Sequence, residues 1–137
     1  MKLILPLSVT LPRKKGDKHW ILNLNSYRNT HYHVLNQAKQ RYKELVICAL
    51  TLFQEDNPGY VMPKPPFIFT YTVFPATARK FDLANVLPIV QKFTDDALIE
   101  LGVIKDDCYK IILAVNYRFG RVDKDNPRVE LSINEYR

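Results

Sequence analysis

Between residues 82 and 107 the chain carries five aspartates and one glutamate, with Arg79 and Lys80 just ahead and Lys92 among them. Carboxylate oxygens are hard ligands for a cation such as Mg²⁺, and a lysine in their midst brings charge to a phosphate. Spacing decides which of these groups can act together. Asn85 is a good N-cap and Pro88 then falls in the first turn, so a helix is predicted over 85–101. With Lys92 at zero and about 100° per residue, Asn85 falls near +20°, Asp96 near +40° and Asp95 near −60°. Val86, Val90, Phe93, Ala97 and Leu101 share an arc from about 100° to 180°. The helix is thus expected to bury one stripe and to present Asn85, Lys92 and Asp96 on the other side, a pattern that a merely solvated helix shares.

Three details favour a site. Asp82 lies just ahead of the helix, where backbone N–H groups and the helix dipole favour an anion. Gly102 ends the helix, and Asp106 and Asp107 then stand immediately before an apolar strand. Neighbours on an extended chain point to opposite faces, so only one of the two can easily join Asp82. Asp107 shares parity with Tyr109, Ile111, Leu113 and Val115, the face expected beneath the helices. Asp107 is therefore the expected ligand, and Asp106 is expected to support it or to face solvent.

These residues need a scaffold, and the chain of 137 residues is long enough for one domain, 1–137, with a true core. Leu3, Leu5, Leu7, Val9 and Leu11 alternate as a strand over 3–11, which also argues against a signal peptide. Residues 12–33 are basic, aromatic and aperiodic, hence a long loop with a short strand around Trp20–Leu24. Apolar residues at helical spacing from Val34 to Phe53 predict an amphipathic helix that buries Cys48. "FIFTYTVFP" (67–75), "YKIILAVNYRF" (109–119) and "RVELSIN" (128–134) read as strands, the last two joined by a polar loop. The sum is an α+β domain: a mixed sheet of about four to five strands with two main helices on one face.

Charge adds a partner class. The net charge of +6 is uneven: residues 1–45 hold nine Lys/Arg against Asp17 and Glu44, whereas the remainder is close to balance. A basic surface beside a carboxylate site suits a phosphodiester substrate, although a positive surface also serves solubility alone. Candidate phosphate contacts are Arg13, Lys14, Lys15, Lys18, Arg28, His31, Lys39, Arg79 and Lys80. Trp20, Tyr27, Tyr32, His31 and His33 interleave with them and are candidates to stack on unpaired bases. His31 and His33 lack further ligands at zinc-like spacing, and the four glycines form no phosphate-cradling loop. No stretch approaches the roughly 20 apolar residues of a membrane span.

The segment "FDLAN…QKFTDDALIELGVIKDD" resembles the signature of RusA-type Holliday-junction resolvases. That pattern is D-x-D-N, a lysine, D-x-L, a glycine and a closing D-D. Asp82 and Asn85 match the first element, Lys92 the lysine, Asp96 and Leu98 the third, and Gly102, Asp106 and Asp107 the rest. The resemblance implies a homodimeric endonuclease, encoded by a phage or prophage and acting in the bacterial cytoplasm. It would cut four-way or branched DNA with Mg²⁺, or Mn²⁺ in its place, and use no small-molecule cofactor. It further implies that Asp82, Lys92 and Asp107 are catalytic, and that Asp82, Asp107, Asp106 and Asn85 surround the metal. Ala84 stands where the family has its second aspartate, and Asn85 and Lys92 are one helical turn further apart than in short members. The alternative expectation is therefore a protein that binds junctions without cutting them. A basic scaffold protein with a surface helix is a third.

Overall fold

The alternating start of the chain builds two strands rather than one. In the computed structural model, which describes residues 1–137, β1 (Lys2–Leu5) and β2 (Ser8–Leu11) part at Pro6 and join different sheets. Proline has no N–H to give a ladder, and the Leu7 carbonyl accepts from the Leu22 N–H instead, at 3.0 Å. β2 pairs antiparallel with β3 (Lys18–Ile21), placing Val9 opposite Trp20. α1 (Leu24–Asn29) follows, and the Asn23 side chain accepts from the Ser26 N–H at 2.7 Å to cap it. The long loop expected over 12–33 is thus mostly ordered as a strand and a short helix. β3 buries only Trp20, so its period is invisible in the sequence.

α2 (Tyr32–Asp56), β4 (Phe67–Phe74), α3 (Leu83–Glu100), β5 (Ile112–Phe119) and β6 (Arg128–Glu135) complete the chain. The main sheet runs β1-β6-β4-β5. β6 is antiparallel to both neighbours, whereas β4 and β5 are parallel. Parallel neighbours need a crossover, which α3 supplies. β5 and β6 are therefore consecutive in sequence but separated by β4. Leu3 and Leu5, Val129, Leu131 and Ile133, and Phe67, Phe69, Tyr71 and Val73 are all buried, forming the inner face of the sheet. They merge with the helices into one core of 26 residues. The protein is an α+β domain with a mixed four-stranded sheet and two main helices. No helix is long and apolar enough to cross a membrane.

α2 buries Ala38, Tyr42, Val46 and Ala49. Cys48, expected inside, is exposed, because the buried stripe of α2 passes to either side of it at 46 and 49. α3 is held chiefly through Phe93. The Trp20 ring stacks on it at 5.6 Å and 8°, and Tyr42 meets it edge-on at 5.7 Å. Trp20 donates Nε1–H to Thr30 Oγ1 at 3.0 Å, and the Tyr42 hydroxyl bonds Thr94 Oγ1 at 2.6 Å. Both rings are thereby satisfied while fully buried, as buried Trp and Tyr require.

Phe93→Ala removes the ring that three elements share and is expected to cost about 3–5 kcal/mol in urea unfolding. Leu113→Ala, on the exposed edge strand, is expected to cost about 0.5 kcal/mol. Equal losses at the two positions would refute this account of the core.

Candidate functional site at the two ends of α3

The N-terminal end of α3 is set by Asp82. Its Oδ1 accepts from the Ala84 N–H at 3.0 Å, so Asp82, not Asn85, is the N-cap. Asn85 lies in the first turn, its own N–H donated to the Asp82 carbonyl at 3.1 Å. The correction has a simple cause: an extended aspartate three residues upstream can bond the first orphan N–H groups, and the chain becomes helical as soon as it does. Asp82 is exposed, as are Arg79 and Lys80. All three lie on the connection that follows the C-terminal end of β4.

The C-terminal end stops at Gly102, whose φ of +74° suits glycine alone. Val103 donates its N–H back to Leu98 O at 2.9 Å, closing the helix. Residues 105–111 then form turns, not the expected strand. Asp106 accepts the backbone N–H of Asp107 at 2.8 Å, and that bond holds the Asp106 carboxyl below the usual range. The Asp107 side chain is exposed. Asp107 does not share a face with Val115, because the register of β5 shifts between them. Phe67 pairs with Ile112 but Ile68 pairs with Ala114, a bulge at Leu113 that reverses the alternation. Ile112 is consequently buried, while Tyr109 and Leu113 are exposed. Odd positions face inward only beyond the bulge.

Eighteen helical residues separate these two ends, about 27 Å at about 1.5 Å per residue. Asp82 and Asn85 stand at the start of α3, while Asp107 lies past its end, within electrostatic reach of Asp95. Lys92 is exposed on the face of Asn85, about 10 Å further along the axis. No three His, Cys, Asp or Glu side chains form a group that could hold a metal ion. Asp82, Asn85 and Asp107 offer the hard oxygens that Mg²⁺ prefers.

Sequence reasoning missed the carboxylate that the fold does bury. Asp95, expected off the apolar stripe, is only 4% exposed. Leu87, Thr94 and Leu98 are buried with it, because α3 packs against α1, α2, β4 and β5 and not against one surface. Asp95 receives Gln91 Nε2–H at 3.3 Å and the Tyr71 hydroxyl at 3.5 Å. Gln91 in turn accepts from the Tyr117 hydroxyl. Burial is the main cause that pushes Asp95 up to about 6; Asp107 and Asp96 add to it, and the Gln91 and Tyr71 bonds oppose it. The available signal was the pair of tyrosines at strand positions that face the helices.

The basic candidates divide. Arg13, Lys14, Lys15, Lys18, Arg28, Arg79 and Lys80 are exposed and form no ion pair. Lys39 instead reaches Asp96 at 3.8 Å and lies over the Phe93 ring. Lys43 similarly pairs with Glu100 at 2.9 Å, tying α2 to α3. Trp20 is core and is not available to a base, and Tyr27 packs on the core. His31, Tyr32 and His33 are exposed. On β4, Ile68 is half-buried and Phe74 lies under the Arg128 guanidinium at 4.1 Å. No family model and no curated protein matches the chain.

The buried carboxylate gives a pH signature. Its folded pKa lies above the unfolded value of about 4, so the folded state binds more protons between those values. Its contribution therefore weakens the fold as pH rises from about 4 to about 6. Asp95→Asn should unfold at higher urea than the parent at pH 7, by about 1–2 kcal/mol, with the gap shrinking toward pH 4. Tyr42, Tyr71 and Tyr117, the other groups around it, are all shifted upward by burial and stay neutral throughout. A gap independent of pH would contradict the assignment.

Proposed function

We propose that the chain is a Mg²⁺-dependent endonuclease of the RusA type, acting as a homodimer on four-way or branched DNA. The observation that carries this reading is the position of Asp82 with Arg79 and Lys80. They stand at the N-terminus of a crossover helix, beyond the C-terminal end of a parallel strand, where α/β units characteristically bind charged ligands. Arg79 and Lys80 hold phosphates there without competition from internal carboxylates. Asp82 and Asn85 would hold a Mg²⁺ ion there, which when bound would polarise the scissile phosphate. Lys92 offers charge to the phosphate as negative charge develops.

A four-way junction has two-fold symmetry, which a homodimer with two equivalent sites matches. A two-fold partner can bring the partner subunit's Asp107 to Asp82, giving two equivalent sites for two opposed incisions. A synthetic four-way junction tests this. Wild-type protein should place paired nicks only with Mg²⁺ or Mn²⁺, and Asp82→Asn and Asp107→Asn should each bind without nicking. Mixed together, the two variants should recover about a quarter of the nicking, because half the dimers carry one intact composite site. No recovery from the mixture would place each site within one chain and sink the shared arrangement.

A second reading is favoured by Ala84 and by the lack of a three-carboxylate group: a junction-binding protein that does not cut. Ala84 is exposed in the first turn of α3, where an added carboxylate is well tolerated. Under the enzyme reading wild type nicks, and Ala84→Asp lowers the Mg²⁺ concentration needed for half-maximal nicking. Under the second reading wild type binds tightly but leaves the junction intact at every Mg²⁺ or Mn²⁺ concentration.

A further inference from the structure

The basic turn 12–17 and the start of α2 enclose a feature that the cleavage reading does not use. An open groove of about 580 Å³ runs between them, with Leu11 and Pro12 on one side and His33, Asn36, Gln37 and Gln40 on the other. Its one carboxylate, Glu44, is occupied by Arg41 at 2.6 Å. His33, which lines the groove, stands in solvent together with two neighbouring rings. Tyr32 lies 4.0 Å from His33 and 4.8 Å from His31, centroid to centroid, and His31 lies 5.0 Å from His33. Tyr32 is 61% exposed and packs against nothing in the core. The adjoining turn carries Arg13, Lys14 and Lys15, with Lys18 opening β3, all exposed and unpaired.

The combination selects among ligands. Free cations alone suit any polyanion. Exposed ring faces add nothing for a duplex, whose base faces are already stacked on each other, nor for an acidic peptide. They suit a base whose face is free, and the side-chain amides of Asn36, Gln37 and Gln40 can bond its edges. We propose that this groove binds a single-stranded DNA segment, with bases stacked on Tyr32 and His33 and phosphates along Arg13, Lys14, Lys15 and Lys18. The proposal rests on the DNA-binding half of the reading above and not on its metal chemistry. On a branched substrate it gives the protein a hold on the unpaired bases at the branch point.

Fluorescence anisotropy of a labelled thymidine oligomer of about eight nucleotides, in EDTA, tests it without any cleavage. Wild type should bind this strand about tenfold more tightly than an abasic strand of the same length, the effect of one or two base stacks. Tyr32→Ala/His33→Ala, at two exposed positions, should bind thymidine about tenfold more weakly and lose the preference over the abasic strand. Lys14→Gln/Lys15→Gln should keep that preference while the slope of log affinity against log salt falls by about 1.4. Equal binding of thymidine and abasic strands by wild type would overturn the proposal, as would a ring variant that keeps the preference. Equal affinity for a duplex of the same length, or displacement by polyglutamate with no preference for bases, would reassign the groove to a nonspecific polyanion contact. The cleavage reading fails by a different result, the absence of nicks on a junction.

Discussion

The carboxylates from Asp82 to Asp107 and Lys92 are positioned by α3, and Phe93 is the residue of α3 at which three elements meet. The ring is stacked by Trp20 from the small hairpin sheet and met edge-on by Tyr42 from α2. One apolar side chain therefore joins the hairpin, the long helix and the crossover helix. The polar ends of its two neighbours are satisfied by Thr30 and Thr94. An aromatic cluster of this kind has a strong orientational preference as well as a large buried area. It fixes the rotation of α3 about its axis as well as its position. That rotation is what turns Asp95 inward and Lys92 outward, although both lie within three residues of Phe93.

The same packing explains what the sequence could and could not disclose. β4 and β6 alternate cleanly because each has one face against the helices. Phe67, Phe69 and Tyr71 on β4, and Leu131 on β6, were therefore legible as core from periodicity alone. Gly102 was legible as the end of α3, since a left-handed residue was required there. The break at Pro6 was not, because Leu3 to Leu11 keep one parity across two sheets. The bulge at Leu113 was hidden for the opposite reason: an inserted residue changes parity without any change in composition. Asp95 was misplaced because a wheel assumes one buried stripe, whereas α3 is enclosed by helices on its flank as well as by the sheet. The candidate site was legible as a set of residue types, but the distance between its members belonged to the tertiary structure.

Asp95 illustrates how a costly group can persist in such a place. Burial disfavours its charge, and Asp96 and Asp107 disfavour it further. Against this stand only the Gln91 amide and a long bond from Tyr71. The chain Asp95–Gln91–Tyr117 nonetheless links α3 to β5 through polar contacts, where the rest of that interface is apolar. Polar links have narrower geometric tolerance than apolar ones. They set the axial register between the crossover helix and the strand it feeds, and hence where the turn carrying Asp106 and Asp107 begins.

That register leads to the strongest constraint on mechanism. α3 is a rigid spacer capped by Asp82 at one end and closed by Gly102 at the other. A helix cannot shorten to bring its ends together; adding or removing a turn shifts the spacing by about 5.4 Å and leaves the facing unchanged. Asn85 and Lys92, seven residues apart, therefore face the same side of α3 but stand about 10 Å apart along its axis. Flexibility of the side chains recovers only a part of such a span. Asp82 and Asp107 thus belong to segments on either side of one rigid helix, and the packing of α3 sets where each stands.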